Sequence, residues 1–481
     1  MQRKFKWTTA AIAAAALGAC AHGEQGPLKP QAAATVNPSG LRQVEIVSET
    51  LPNGFKVVLA KTPPVEGQEP RAYVASYILH GVLQERTLGW AHLMEHVATN
   101  NAANVKGPPP VPGAKVLDSN AVARLHYTSF LLIVTPDLLP TAIHGRMAKA
   151  GHTQDDPKVF PNEVGRVLAE LERDGTSQYP AYSALAALAG GKRPGLKPEL
   201  DSVRSADQAT VRAMMTELYR PDRAVLVVVG DIDLAAARAA VRESAAKLGW
   251  PASRPSPTKA KLQATKLRTG LSAVLPDQNR GESNIVGLGW PKPALGERDQ
   301  LPLLVADQIL LGGRDDPATL RRSDDSPFGR RLGQRLGAEA LWDRIDSLAT
   351  PPLADIGTAL QVVLFNSKRD TRPDEVRREV RASLAEIRAE ELSDTAIEAA
   401  KAKLAAFYEA WLLEPRHRTL GEHLMAYYAT GRSPEQVKDI PDRIRKVRPA
   451  DVRAAFQRRL QAVEPLVVIL PRSPAAAAAA N

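Results

Sequence analysis

A chain of 481 residues is too long for one ordinary core and calls for two or more domains. Hydrophobic residues at 44% and charged residues at 24% are ordinary for a globular protein and exclude a chain disordered over its length. The formal charge of +10 is modest, and the basic residues are not interleaved with aromatics, so a solvated surface explains them and no nucleic-acid partner is expected. Cys20 is the one cysteine, so no disulfide forms within the chain and stability rests on the cores.

Residues 1–20 read as a targeting segment: Arg3, Lys4 and Lys6, then an apolar run from Ala10 to Leu17 too short to span a bilayer, then Leu17-Gly18-Ala19-Cys20. The ending resembles a bacterial lipobox, whose cysteine is lipidated and becomes the new N-terminus, so Cys20 is the expected membrane anchor. Ala21, in place of aspartate, implies by the same resemblance delivery to the outer membrane, with the body in the periplasm. Gly18 is unusual in that motif, and the alternative is ordinary signal cleavage leaving a soluble periplasmic protein; both readings export the chain. Residues 21–42, with Gly23, Gly26, Pro27, Pro30 and three successive alanines, read as a flexible tether.

Val44 to Thr50 and Phe55 to Ala60 read as two strands joined through Leu51-Pro52-Asn53-Gly54, and Ala72 to His80 as a third. The segment Gly89-Trp90-Ala91-His92-Leu93-Met94-Glu95-His96-Val97 favours a helix. Spacings of three and four residues place His92, Glu95 and His96 on one face, where two imidazoles can grip one cation beside a carboxylate. This is the H-x-x-E-H inversion of the better-known zinc-protease motif. Zinc hydrolysis needs three protein ligands, an open position and a base, so a further ligand must come from elsewhere. The candidate is the segment Glu163 to Leu171, where Val164, Val167, Leu168 and Leu171 form an apolar stripe and Glu163 and Glu170, two turns apart, share another face. The bland alternative is a solvated helix face, which chance would have to furnish with the paired glutamates as well.

In these residues the chain resembles the pitrilysin/insulinase family of zinc peptidases, which includes the mitochondrial processing peptidase. Glu170 follows His96 by 74 positions, the family's separation between second histidine and third ligand. The resemblance implies one zinc ion held by His92, His96 and Glu170, Glu95 as general base, and Glu163 supporting the ligands. The Leu-x-Asn-Gly-Phe-x-Val opening at Leu51 and the Tyr219-x-Pro221 followed by Ala224 to Asp231 also match.

Residues 100–118, with Gly107 and four prolines between Pro108 and Pro112, read as irregular, where the family keeps a short helix. Ser119-Asn120-Ala121 and the strand Tyr127 to Val134 resemble the family's substrate-binding edge, which offers unpaired backbone groups that an extended peptide completes as an added strand. The local alternative for Asn120 is a turn residue. His126 is read as structural. Helices are expected at Leu138–Ala150, Asn162–Arg173, Ala181–Ala189, Ala206–Leu218 and Leu234–Leu248, with a loop from Gly190 to Pro198. Pro251 to Lys261 reads as a linker. Strands at 271–275 and 284–290 and a helix at 300–311 follow, and the terminal helix, turn and strand from Ala450 to Leu470 echo Ala206 to Val229 as a weak internal repeat.

The expected organisation is a signal segment at 1–20, a tether at 21–42, a zinc-bearing domain at 43–250, a linker at 251–262, a metal-free homologous domain at 263–472 and a disordered tail at 473–481. The fold class that the resemblance implies is α+β: two similar domains, each a mostly antiparallel sheet covered by helices, together forming half of a clam-shell chamber. Relatives carry an arginine and a tyrosine in the second copy that hold substrate. In the stretch Ser326 to Ala340, Gly333 and Ala340 stand at those places, and neither side chain can donate a hydrogen bond. Arg331, Arg335 or Trp342 are the substitutes under a shifted register. The expected protein is an exported zinc endopeptidase for extended or unfolded peptides, paired with a related subunit lacking zinc. The rivals are a non-catalytic peptide-binding subunit and a zinc site that only stabilises the fold.

Overall fold

The computed structural model describes residues 40–65, 67–101, 111–151, 158–174, 179–250, 267–276, 278–279, 281–312, 324–342 and 353–473. The expected signal segment with Cys20, nearly all of the expected tether, the expected linker at 251–262, residues 102–110 of the proline-rich stretch and the expected tail from 474 lie outside the described residues.

A hairpin opens the first sheet: β1 (Glu45–Thr50) pairs antiparallel with β2 (Lys56–Lys61). Its turn is set by Gly54 at φ +89°, which only glycine adopts freely, and by Asn53, whose Oδ1 accepts from the Phe55 N–H at 3.1 Å. Then come β3 (Ala72–Ile78), α1 (Trp90–Asn101), β4 (Val116–Ala123), β5 (Thr128–Val134), α2 (Leu139–Ala148), α3 (Val159–Asp174), α4 (Tyr179–Ala189), α5 (Leu196–Arg204), α6 (Gln208–Leu218), β6 (Ala224–Gly230) and α7 (Leu234–Lys247). The strand order is β1-β2-β6-β3-β5-β4, with only β2 and β6 parallel. β3 and β6 are buried throughout, because both faces of the sheet are covered, and their sequences are accordingly almost unbroken apolar runs.

The second sheet holds β7 (Ser272–Val274), β8 (Asn284–Lys292), β9 (Ala338–Trp342), β10 (Ala359–Ser367) and β11 (Leu466–Leu470). Around them lie α8 (Gln300–Leu310), α9 (Pro327–Leu336), α10 (Pro373–Ala385), α11 (Asp394–Leu412), α12 (Arg418–Ala429), α13 (Ile440–Arg445) and α14 (Pro449–Phe456). Its order, β7-β11-β8-β10-β9, repeats β2-β6-β3-β5-β4 strand for strand, with the one parallel pair in the same place. The molecule is therefore α+β, two mixed sheets covered by helices.

The two halves exchange one helix each. α4, from the first half, lies on β8, β10 and β11 of the second sheet, and α12 lies on β2, β3 and β6 of the first. Leu185 of α4 sits over Gly287 and Gly289, where an added Cβ would be 3.1 and 3.3 Å from its methyl carbons. On α12, Leu420 and Leu424 are fully buried, each contributing about 1.5–3 kcal/mol. One core thereby runs from Tyr73, Tyr77 and Val227 on the first sheet to Val286, Leu288 and Phe365 on the second. The opposite face of the first sheet, with Val57, Leu59, Val74 and Phe130, receives α1, α2, α6 and α7.

Two local expectations are corrected. The span Gly190 to Pro198 is not all loop, because α5 begins at Leu196: Gly195 takes φ +132° and Pro198 falls in the first turn, where a missing N–H costs nothing. Residues 116–118 are not irregular but begin β4, with a bulge between Val116 and Asp118 at the sheet edge.

Candidate metal centre

α1 lies beside β4 and packs against α3. Leu93, Met94 and Val97 anchor it to the sheet, which turns His92, Glu95 and His96 toward α3. α3 is itself seated through Val167 and Leu171, leaving Glu163 and Glu170 facing the histidines. The apolar stripes of two helices thus deliver the polar groups to each other.

One oxygen of Glu170, Oε2, stands 3.4 Å from His92 Nε2 and 3.3 Å from His96 Nε2. Those separations are long for hydrogen bonds but match the edge of a tetrahedron: ligands about 2.0–2.1 Å from zinc lie about 3.3–3.4 Å apart. The imidazoles meet edge to face, with ring centroids 4.8 Å apart. Glu95, 4% exposed, also brings a carboxylate oxygen within 4.8 Å of a nitrogen on each imidazole. Glu170 is the better third donor, because a single oxygen of it closes on both imidazoles.

Glu163 Oε2 accepts from His96 Nδ1 at 3.1 Å, and its other oxygen accepts from Arg166 at 2.9 Å. The bond to Nδ1 leaves His96 Nε2 aimed at Glu170, which is how a ligating imidazole is oriented. Burial opposes a charged His96, yet Glu163, Glu170 and Glu95 outweigh it and raise its pKa to about 10. Burial likewise opposes ionisation of Glu170, but the two imidazoles hold its carboxyl well below the usual range. The nitrogen and oxygen donors gathered here could hold a divalent cation such as zinc.

Ser119, Asn120 and Ala121 lie on β4, the edge strand next to α1. Alternation puts Ala121 and Ser119 toward the α1 side and Asn120 and Asp118 toward the other, where Asp118 is 3.7 Å from Arg416 of the second half. Asn120 Oδ1 accepts from the Ala121 N–H at 2.8 Å. His126 is buried between Gln84 and the Thr358 carbonyl, away from the cluster's donors.

Two of the three expected substitutes, Arg331 and Arg335, are paired with carboxylates of the second half. Arg331 binds Glu391 bidentately and the Glu386 carbonyl, and Arg335 binds Glu379 and Glu386. Gly333 lies within α9, and Ala340 has φ +52° with its N–H donating to Asp324. The side chain of Trp342 lies outside the described residues.

Residues 205–404 match the family model of the peptidase M16 inactive domain, a stretch that begins after all five residues of the cluster. No curated protein sequence matches the chain. The fold is that of M16-like peptidases. A protease from Helicobacter pylori superposes with a TM-score of 0.65 at 17% identity, covering 89% of this chain and 99% of that one. The peptidase M16 inactive domain from Pseudomonas fluorescens gives 0.63 at 13%, covering 89% and 98%. The periplasmic protease PqqL from Escherichia coli gives 0.59 at 17%, with 90% of this chain covering 48% of PqqL. At these identities the likeness shows the fold and leaves the chemistry to the site.

Proposed function

We propose that this chain is an exported zinc endopeptidase of the pitrilysin/insulinase kind, acting on extended peptides or unfolded segments. The observation that carries the reading is the single Glu170 oxygen placed at ligand spacing from both His92 and His96. His92 and His96 through Nε2, with Glu170, would hold the ion, and Glu163 orients His96. Bound zinc supplies the Lewis acidity that lowers the pKa of a water to about 7 and polarises a scissile carbonyl. Glu95 then serves as the group that takes the water's proton and passes it to the leaving amine. The edge of β4 aligns the peptide through its backbone, which gives affinity with little sequence demand.

The lack of side-chain donors at Gly333 and Ala340 supports a division of labour, in which a related subunit without zinc brings the substrate contacts. That this fold fills about half of PqqL agrees with a working unit of two such halves. Lipidation at Cys20 would tether the body to the outer membrane from the periplasmic side. The second reading, a non-catalytic peptide-binding subunit, draws on the match to an inactive-domain model.

The test is metal content and cleavage of a mixed unfolded-peptide pool, for the mature chain alone and with a co-expressed related subunit. Zinc with turnover that disappears in Glu95→Gln supports the enzyme, and turnover only in the pair supports the shared site. Zinc without turnover in either state refutes the enzyme in favour of the binding subunit.

A further inference from the structure

The helix that carries both histidines is held at its two ends by buried ions that belong to no metal motif. At its start, the carboxylate of Glu85 accepts from the Gly89 N–H at 3.2 Å and from the Ala91 N–H at 3.0 Å, one bond to each oxygen. Glu85 is 3% exposed and is paired at 3.3 Å with Lys192, which also donates to the Val82 carbonyl. Gly89, at φ +80°, lets the chain turn into the helix under Glu199, whose Cγ would be 3.0 Å from any Cβ placed there.

At the other end, Lys149 donates from Nζ to the carbonyls of Ala98, at 2.9 Å, and Thr99, at 2.6 Å. It is 4% exposed and its ammonium lies 5.5 Å over the Phe130 ring. The carbonyls of Glu95 and His96 are taken in turn by Thr99 Oγ1 and Asn100 Nδ2.

An anion at the N-terminus and a cation at the C-terminus are the two placements a helix dipole favours. They also satisfy backbone groups that the helix leaves without partners, and burying such ions is sustained only by these bonds. The consequence is geometric. Glu85 sits in the loop after β3, Lys149 follows α2 and Lys192 lies between α4 and α5, so three separate elements oppose sliding or tilting of α1. Sliding by one residue would move its side chains by about 1.5 Å, whereas metal donors tolerate only about 0.2 Å.

We propose that Glu85 and Lys149 are positioning residues that set the axial placement of α1, and so hold His92 and His96 at ligand spacing from Glu170. The proposal rests on the zinc reading above and adds residues that touch neither metal nor substrate. It is tested on the mature chain with Lys149→Met and Glu85→Gln, each close in shape but lacking the clamp's charge. Zinc affinity is measured by chelator competition, coordination by the visible bands of the cobalt-substituted protein, and fold by far-ultraviolet circular dichroism and melting.

The expected result is roughly 10–100-fold weaker zinc binding in folded variants, with altered cobalt bands. Arg238→Ala, which breaks the pair between α7 and Glu49 of β1, should lower melting slightly without moving either metal readout. Lys149→Gln, which keeps one donor, should fall between the parent and Lys149→Met, and it decides the matter if Lys149→Met does not fold. Folded variants that bind zinc within twofold of a zinc-binding parent, with unchanged bands, would overturn this inference alone. A parent that binds no zinc would overturn it together with the zinc reading.

Discussion

Glu95 and Glu170 both approach the imidazoles, and exchanging each for glutamine separates ligand from base. Glu170 Oε2 closes two edges of the donor triangle, at 3.4 and 3.3 Å, so Glu170→Gln replaces an anionic donor shared between both histidines with a neutral amide. Loss of a mere partner of a ligand already weakens metal binding by about 10–100-fold, so loss of this donor should cost at least about 100-fold, or about 2.7 kcal/mol. Glu95→Gln leaves those edges intact. It should keep zinc affinity within a few-fold while lowering kcat by about 10²–10⁴. Competition against a chromophoric chelator reads the first effect and peptide turnover at saturating zinc reads the second. If Glu95→Gln loses zinc while Glu170→Gln retains it at parental affinity, the assignment of the two carboxylates is wrong.

Glu199 provides a pH signature. Burial, then the charge of Glu85, raises its pKa to about 8, against the opposing effects of Ser183 and Lys192. Between its unfolded value near 4.5 and about 8 the folded chain holds a proton that the unfolded chain has lost, so this group's contribution to stability falls as pH rises through that window. Glu199→Gln should flatten the decline, with a gain of a few kcal/mol at pH 8, measured by denaturant titration at pH 5 and pH 8; an unchanged slope would count against the protonated carboxyl. Gly421→Ala would place a Cβ 2.6 Å from the Tyr73 ring, and Tyr73 is held by a 2.6 Å bond to Tyr77. Overpacking of that kind should destabilise by about 1–3 kcal/mol, seen as a lower melting temperature, and no change would mean that α12 is loosely seated. Chelation should abolish peptide turnover while leaving the far-ultraviolet spectrum intact, since the cores are complete without the ion; unfolding on chelation would favour a structural metal.

Local spacing made part of this protein legible. The turn at Asn53-Gly54, the common face of His92 and His96, and the two-turn interval between Glu163 and Glu170 are properties of neighbouring residues, so the helical and strand periods alone expose them. The apolar runs of β3 and β6 marked them as central strands for the same reason. What no local pattern contains is which element meets which. Glu170 approaches both imidazoles because the buried stripes of α1 and α3 press the two helices together. The exchange of α4 and α12 between the sheets depends on glycines at Gly287, Gly289 and Gly421, which allow close approach only once the partner's side chain is in place. α5 was hidden because its glycine and proline read as loop punctuation until the turn they make is seen. Glu85 and Lys149 lie 64 positions apart and look like ordinary surface charges in the sequence. Tertiary packing buries them against the ends of one helix, where a charge survives only by bonding the backbone groups that the helix leaves open.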